Sequence, residues 1–173
     1  MTAAKGGGTL YLGVDPGAKG FAALLAPDGW IAFEPLARMA GKPDLAGIVA
    51  QFRRLGTRWA EGDLPYSRCM VVLEDVRSMP RQGVASTFAF GRGVGRVEAA
   101  VVAAGLPLVY IRPAVWKQAI LLASERDAKK AGSVLACERL FPAAQLPANT
   151  RGRIDDNAAD ALCLAEYGRR NNL

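Results

Sequence analysis

Leu10-Tyr-Leu-Gly-Val-Asp15-Pro-Gly-Ala-Lys-Gly20 is the stretch on which the fold turns. Leu10 to Val14 is an apolar run that stops at Asp15-Pro16-Gly17, which reads as a strand entering a turn. Gly20 to Ala26 and Trp30 to Phe33 follow, divided by the turn signal Pro27-Asp28-Gly29. These three segments predict an antiparallel meander. Further along, Cys69 to Leu73 is a second continuous apolar run, entering Glu74-Asp75, and predicts a strand buried on both faces. Leu108 to Ile111 predicts one more short strand, stopped by Pro113.

Helical spacing fills the intervals. Leu45, Ile48, Val49, Phe52, Leu55 and Trp59 mark one face of a helix over Leu45 to Trp59. Gln82 to Ala104 is rich in small residues and predicts a helix in its second half. There Gly91, Gly95 and Ala99 recur every four residues, a spacing that lets another backbone approach closely, either the chain's own sheet or a second copy. Ala114 to Leu122, Asp127 to Leu140 and Asp156 to Arg170 predict three more helices, with a loop from Ala143 to Arg153 before the last. This order describes an α/β fold, a mixed five-stranded sheet flanked by helices in a single domain. Residues 1–8 are expected to be a flexible N-terminus and residues 9–173 the domain.

Composition narrows the chemistry. The 173 residues are 51% hydrophobic and 22% charged, enough apolar material for one real core and too much for intrinsic disorder. There is no histidine, which excludes Ser-His-Asp and Cys-His nucleophiles, a histidine general base and histidine-ligated zinc. With 22 Lys+Arg against 16 Asp+Glu the formal charge is +6, which favours a polyanionic partner. Cys69, Cys137 and Cys163 are widely spaced in apolar runs, as expected of reduced, buried thiols in a cytoplasmic protein. Met1 to Thr9 lacks the apolar core of a signal peptide. Ala99 to Ile111, broken by Gly105 and Pro107, is too short to span a bilayer, so no membrane association is expected.

Acidic residues stand where elements end. Asp15 closes the first strand, Glu74 closes the Cys69–Leu73 strand, and Asp155, Asp156 and Asp160 open the last helix. If the two strands are neighbours, Asp15 and Glu74 lie side by side, while Asp156 and Asp160, four apart, share a helix face. Clustered carboxylates repel one another unless a divalent cation sits among them, and all-oxygen ligation selects Mg²⁺ or Mn²⁺. Such a site can hold two ions about 3.5–4 Å apart, one activating water and one steadying the leaving oxygen of a phosphodiester.

These residues carry a resemblance. Gly13-Val-Asp15-Pro-Gly-Ala-Lys-Gly20 resembles the opening motif of RuvC-type Holliday junction resolvases, and Val72-Leu-Glu74-Asp-Val76 resembles the family's second acidic strand. Arg112-Pro-Ala-Val-Trp-Lys117-Gln118 and Asp156-Asn-Ala-Ala-Asp160-Ala-Leu162 are similar to its lysine and acidic-helix segments. Met79-Pro-Arg-Gln-Gly-Val-Ala-Ser-Thr-Phe-Ala-Phe-Gly-Arg-Gly-Val-Gly95 resembles the phage-type branch in particular. The resemblance implies an RNase H-like fold, a homodimer and Mg²⁺-dependent, two-ion hydrolysis that nicks four-way DNA junctions symmetrically and leaves 5′-phosphates, in a bacterial cytoplasm or a phage-infected cell. It implies Asp15, Glu74 and Asp160 as metal ligands and places Lys117 near the scissile phosphate, with Lys129 aligned to a second functional lysine. Many relatives carry an acid or histidine three positions before the last Asp, where this chain has Asn157. Asp156 is then the favoured fourth ligand and Asp155 the reserve. Where some relatives carry an aromatic wedge after the second acid, this chain has Arg77, and Met79 or Phe88 are the substitutes for opening the junction.

Arg77, Arg81, Arg92, Arg96, Lys117, Lys129, Lys130, Arg151 and Arg153 fall in segments flanking the acids and are the expected DNA contacts. Contacts of this kind are to phosphates, so binding should weaken steeply with salt. Other readings are a less selective nuclease for flaps, forks or duplex, a nucleotide-binding protein of the actin and sugar-kinase type, and a non-catalytic DNA-binding module.

Overall fold

A computed structural model describes residues 8–17, 19–57, 68–77, 83–128 and 131–173. One sheet organises it. Strands β1 (Thr9–Asp15), β2 (Phe21–Leu25) and β3 (Ile31–Pro35) form the antiparallel meander, and β6 (Arg68–Glu74) and β7 (Leu108–Ile111) extend it in parallel on the other side of β1. The spatial order is β3-β2-β1-β6-β7, the mixed five-stranded sheet expected from the sequence. A second, two-stranded ribbon, β4 (Arg38–Met39) with β5 (Lys42–Pro43), lies between β3 and the first helix. No helix among the described residues is long and apolar enough to cross a membrane.

The sheet separates two cores, and strand parity assigns side chains to them. Leu10, Leu12 and Val14 of β1, with Val71 and Leu73 of β6, face α1 (Leu45–Thr57) and α2 (Val84–Ala103) through Ile48, Phe52, Leu55, Val97, Ala100 and Val101. Tyr11 of β1, with Met70 and Val72 of β6, faces α3 (Pro113–Ile120), α5 (Gly132–Leu140) and α6 (Asp156–Arg170). Between α3 and α5 runs the short α4 (Ala123–Asp127). The predicted helix over Asp127 to Leu140 instead begins at Gly132 as α5, while α4 ends at Asp127 ahead of it; the two pack where Gly132 meets the Glu125 carbonyl with no room for a side chain.

Helix α6 lies directly on β1. Ala158, Ala159, Ala161 and Ala165 are fully buried, and a Cβ on Gly13 would stand 1.9 Å from the Ala161 carbonyl oxygen. Only glycine permits this approach of helix backbone to strand backbone. Small residues on both partners thus set the distance between the end of β1 and the start of α6.

The predicted approach face of α2 has a different outcome. Among the described residues nothing lies within 4 Å of a Cβ built on Gly91 or Gly95, and the helix packs on its own sheet through Gly93, Val97, Ala100 and Val101 instead. Packing within the chain is not the role of Gly91, Gly95 and Ala99, all of which are exposed. Cys69, Cys137 and Cys163 are free and buried, as expected. The expectation of a flexible segment over residues 1–8 falls, Gly8 apart, outside the described residues, as does Trp59.

Candidate active site

Parity and register bring the first two acids together. The parallel register of β1 with β6 pairs Tyr11 with Met70, Gly13 with Val72 and Val14 with Leu73, and one step further sets Asp15 against Glu74. Both fall on the α6 face of the sheet, where the close contact at Gly13 brings up the first turns of α6. Asp156 and Asp160 come from there, and both lie near enough to Asp15 to raise its pKa by repulsion. Lys117, from α3, acts in the opposite sense on Glu74 and Asp160. A hollow of about 570 Å³ is lined by Lys117, Arg126, Ser133, Asp156, Asn157 and Asp160. The structure therefore gathers Asp15, Glu74, Asp156, Asp160 and Lys117 from four elements into one place.

Three of the acids are held alike. The Gly17 backbone N–H donates to Asp15 Oδ1 at 3.0 Å, and Trp116 Nε1 donates to Glu74 Oε1 at 2.9 Å. The Ser133 hydroxyl donates to Asp160 Oδ1. Each grip is on one oxygen by a neutral donor, and among the described residues the second oxygen of each has no hydrogen bond. Burial pushes the Asp15 carboxyl up to about 7; the Gly17 N–H opposes the rise, and Glu74, Asp160 and Asp156 add to it. Glu74 and Asp160 are also raised, first by burial, against the opposing pull of their hydrogen-bond donors and of Lys117.

Asp155 and Asp156 divide their roles. Asp155 is the N-cap of α6, its Oδ1 accepting from the Asn157 backbone N–H at 3.0 Å and from Asn157 Nδ2 at 2.8 Å. It is buried and occupied by that cap, which also engages the Asn157 side chain. Asp156, one residue on, lines the hollow with Asp160.

The expected DNA-contacting residues disperse. Arg151 and Arg153 line a cleft of about 750 Å³ with Lys19, Asn149, Asp156 and Asn157, adjoining the hollow. Arg77 is exposed and ion-pairs with Asp75 at 3.6 Å. Arg92 lies over the exposed ring of Phe88, 5.6 Å from its centroid, on the outer face of α2. Arg96 donates to the Pro43 carbonyl at 3.2 Å and so braces β5. Arg81, Lys129, Lys130 and Met79 lie outside the described residues.

Sequence reasoning missed Trp116, Ser133 and Arg126. Trp116 is fully buried and its neighbour Lys117 stands 5.0 Å from its ring centroid, so α3 presents the pair to the site together. The signal was present: a buried tryptophan needs a partner for its N–H, and an acid at a strand end needs a donor.

Among the described residues no three Asp, Glu or Cys side chains are close enough together to grip an ion as they stand. The donor set nevertheless fits a hard divalent cation: the four carboxylates offer oxygen alone, and Lys117 stands beside them as a charge rather than a ligand. No protein-family model matches the chain, and no curated protein does either. Among solved structures, the RuvC of T. thermophilus in complex with a Holliday junction substrate is similar at a TM-score of 0.65 and 20% identity, over 95% of this chain and 96% of that one. Thermus thermophilus RuvC is similar at a TM-score of 0.59 and 19% identity, over 94% of this chain and 96% of that one. Over nearly its whole length, then, this chain has the RuvC fold, an RNase H-like mixed sheet flanked by helices.

Proposed function

We propose that this chain is a Mg²⁺-dependent, structure-selective DNA endonuclease that acts as a homodimer on four-way junctions. It would nick two strands symmetrically and leave 5′-phosphates. The observation that carries the reading is the convergence of Asp15, Glu74, Asp156 and Asp160 in a basic, RuvC-like chain, with no arginine among the described residues paired to any of them. Burial and mutual repulsion make that arrangement costly, and bound cations relieve it.

Asp15, Glu74, Asp156 and Asp160 would hold the ions through the oxygens their protein donors leave free. Bound there, two divalent ions (Mg²⁺, or Mn²⁺ in its place) would supply activation of water and stabilisation of the leaving 3′-oxygen of a phosphodiester. Lys117 places a fixed ammonium where charge gathers on the phosphoryl group. Trp116 and Ser133 each hold one oxygen of Glu74 and Asp160 and would leave the other available to an ion. The N-cap role of Asp155 supports Asp156 as the fourth ligand.

The second copy would dock on α2. Val84, Phe88, Gly91, Gly95 and Val102 follow one another at helical face spacing; Val84 is 87%, Phe88 66% and Val102 71% exposed. The glycines there meet nothing among the described residues, which leaves this face open to close approach by another copy. The Met79 to Gly95 stretch supports a phage-type member of this class.

Cleavage of a synthetic four-way junction tests the assignment. Asp15→Asn should lower the rate on the order of 10³-fold or more while retaining junction binding in Ca²⁺. Undiminished cutting by that variant would remove the metal assignment. Equal rates on junction and linear duplex would instead leave a nuclease without junction selectivity.

A further inference from the structure

Between the β4–β5 ribbon and α2 lies a cleft of about 390 Å³ that no step so far uses. Pro16 and Gly17, the residues directly after Asp15, form one wall; Arg38, Gly41, Lys42 and Pro43 form the second; Ser86, Ala89, Phe90 and Gly93 of α2 form the third. Among the described residues its two charged side chains are both cations, and no carboxylate lines it. Arg38 and Lys42 are exposed, and among the described residues neither is ion-paired.

The ribbon that carries them is built to stay in place. Its two-residue loop, Ala40 and Gly41, has positive φ at both positions (48° and 74°), the geometry that matches the twist of a tight hairpin. Alanine adopts it only at a cost, so the ribbon's conformation is held by its surroundings. Asp44 N–H donates to the Ala37 carbonyl at 2.9 Å across its base, and the Arg38 guanidinium donates to the Gly41 carbonyl across its tip. Arg96 fastens β5 to α2, and Pro43 stands 3.7 Å from a Cβ built on Gly93.

We propose that this cleft binds the sugar–phosphate backbone of the strand being cut, beside the scissile phosphate, with Arg38 and Lys42 as its phosphate contacts. The inference rests on the nuclease reading and adds a site to it. The Asp15 turn is the shared wall: Pro16 and Gly17 face this cleft, while Lys19 faces the basic cleft of Arg151 and Arg153. A strand crossing the carboxylates would therefore meet cations on both sides of the cut, two of them on the ribbon. Such a track neutralises the flanking phosphates and leaves the scissile one to the ions and Lys117. Arg38 and Lys42 are exposed at the rim of a mostly apolar cleft, an open setting that suits contact with a polyanion that carries its own counterions.

The test is the salt dependence of junction binding in Ca²⁺ for the wild type, the double variant Arg38→Ala/Lys42→Ala, and Arg170→Gln as a charge control at the far end of α6. Removing two phosphate contacts should make the slope of log K against log salt shallower by about 1.8, at about 0.9 per contact. Arg170→Gln should leave the slope unchanged. Thermal unfolding in Mn²⁺ should show the same metal-induced rise in Tm for the double variant as for the wild type, because no ligand is touched. Equal slopes for wild type and double variant would overturn the cleft assignment alone. A wild type that binds no branched DNA would overturn the nuclease reading first, and this inference with it.

Discussion

Asp160 and Glu166 share helix α6, and the chain treats the two acids in opposite ways. Glu166 is 1% exposed, and burial pushes its carboxyl up; Arg169 at 2.6 Å and Arg170 at 2.7 Å outweigh that and hold it below the usual range. Glu125 likewise has Arg139 at 2.7 Å and is lowered. At the other end of the helix, among the described residues, Asp15, Glu74 and Asp160 accept hydrogen bonds only from neutral donors, Lys117 acts on Glu74 and Asp160 alone, and all three acids are raised. Where a buried acid is structural, the sequence supplies an arginine. Where the acids of β1, β6 and α6 meet, no described arginine pairs with them, and the missing positive charge is what a divalent cation would bring.

Stability against pH offers the largest test of this contrast. Folding raises Asp15 from the ordinary value of 3.8 to about 7. The folded state thus binds the extra proton, and the stability this group allows at pH below about 4 is lost as pH rises to about 7. Asp15→Asn does not titrate. Urea unfolding in EDTA should therefore show the variant gaining on the wild type between pH 4 and 7 and levelling off above, at up to about 4 kcal/mol. A gain independent of pH would break the comparison on the site's side.

A smaller effect is expected at the other end of α6. Glu166→Gln strands two half-exposed arginines and should cost about 2 kcal/mol in unfolding free energy at pH 7, with Mn²⁺ affinity by calorimetry unchanged. A loss of Mn²⁺ affinity would show that the two regions are not separate.

The finest effect concerns the neutral donors. Trp116→Phe and Ser133→Ala each remove one hydrogen bond from a proposed ligand and should weaken Mn²⁺ binding about tenfold, the scale seen for partners that orient metal ligands. Unchanged affinity in both would mean that the donors only satisfy buried oxygens and orient nothing.

Much of this was legible along the chain. The run ending at Asp15, the run ending at Glu74 and the turn signal Pro27-Asp28-Gly29 marked the strands and placed both acids at strand ends. The acids at the start of the last helix were readable as well, though not which one caps it. The ribbon escaped notice because two-residue strands leave no periodicity to read. The break between α4 and α5 depends on Gly132 meeting a carbonyl that is remote in local pattern. Spacing marked Gly91, Gly95 and Ala99 as a close-approach face but could not say whether it turns inward, since spacing is the same on either side of a helix.

By itself, then, the sequence determined the period and the chemistry: which segments are strands, which are helices, that no histidine takes part, and that carboxylates end the buried strands. Local sterics and hydrophobic alternation act over a few residues, and they are written in order. Only the tertiary structure decided the partners. That Trp116 reaches Glu74, that Ser133 reaches Asp160, that Asp155 is spent on a cap and that Arg38 and Lys42 stand beside the Asp15 turn all depend on contacts between distant segments. Those contacts are set by the close seating of α6 on Gly13 and of the ribbon on α2, packing distances that no local pattern states.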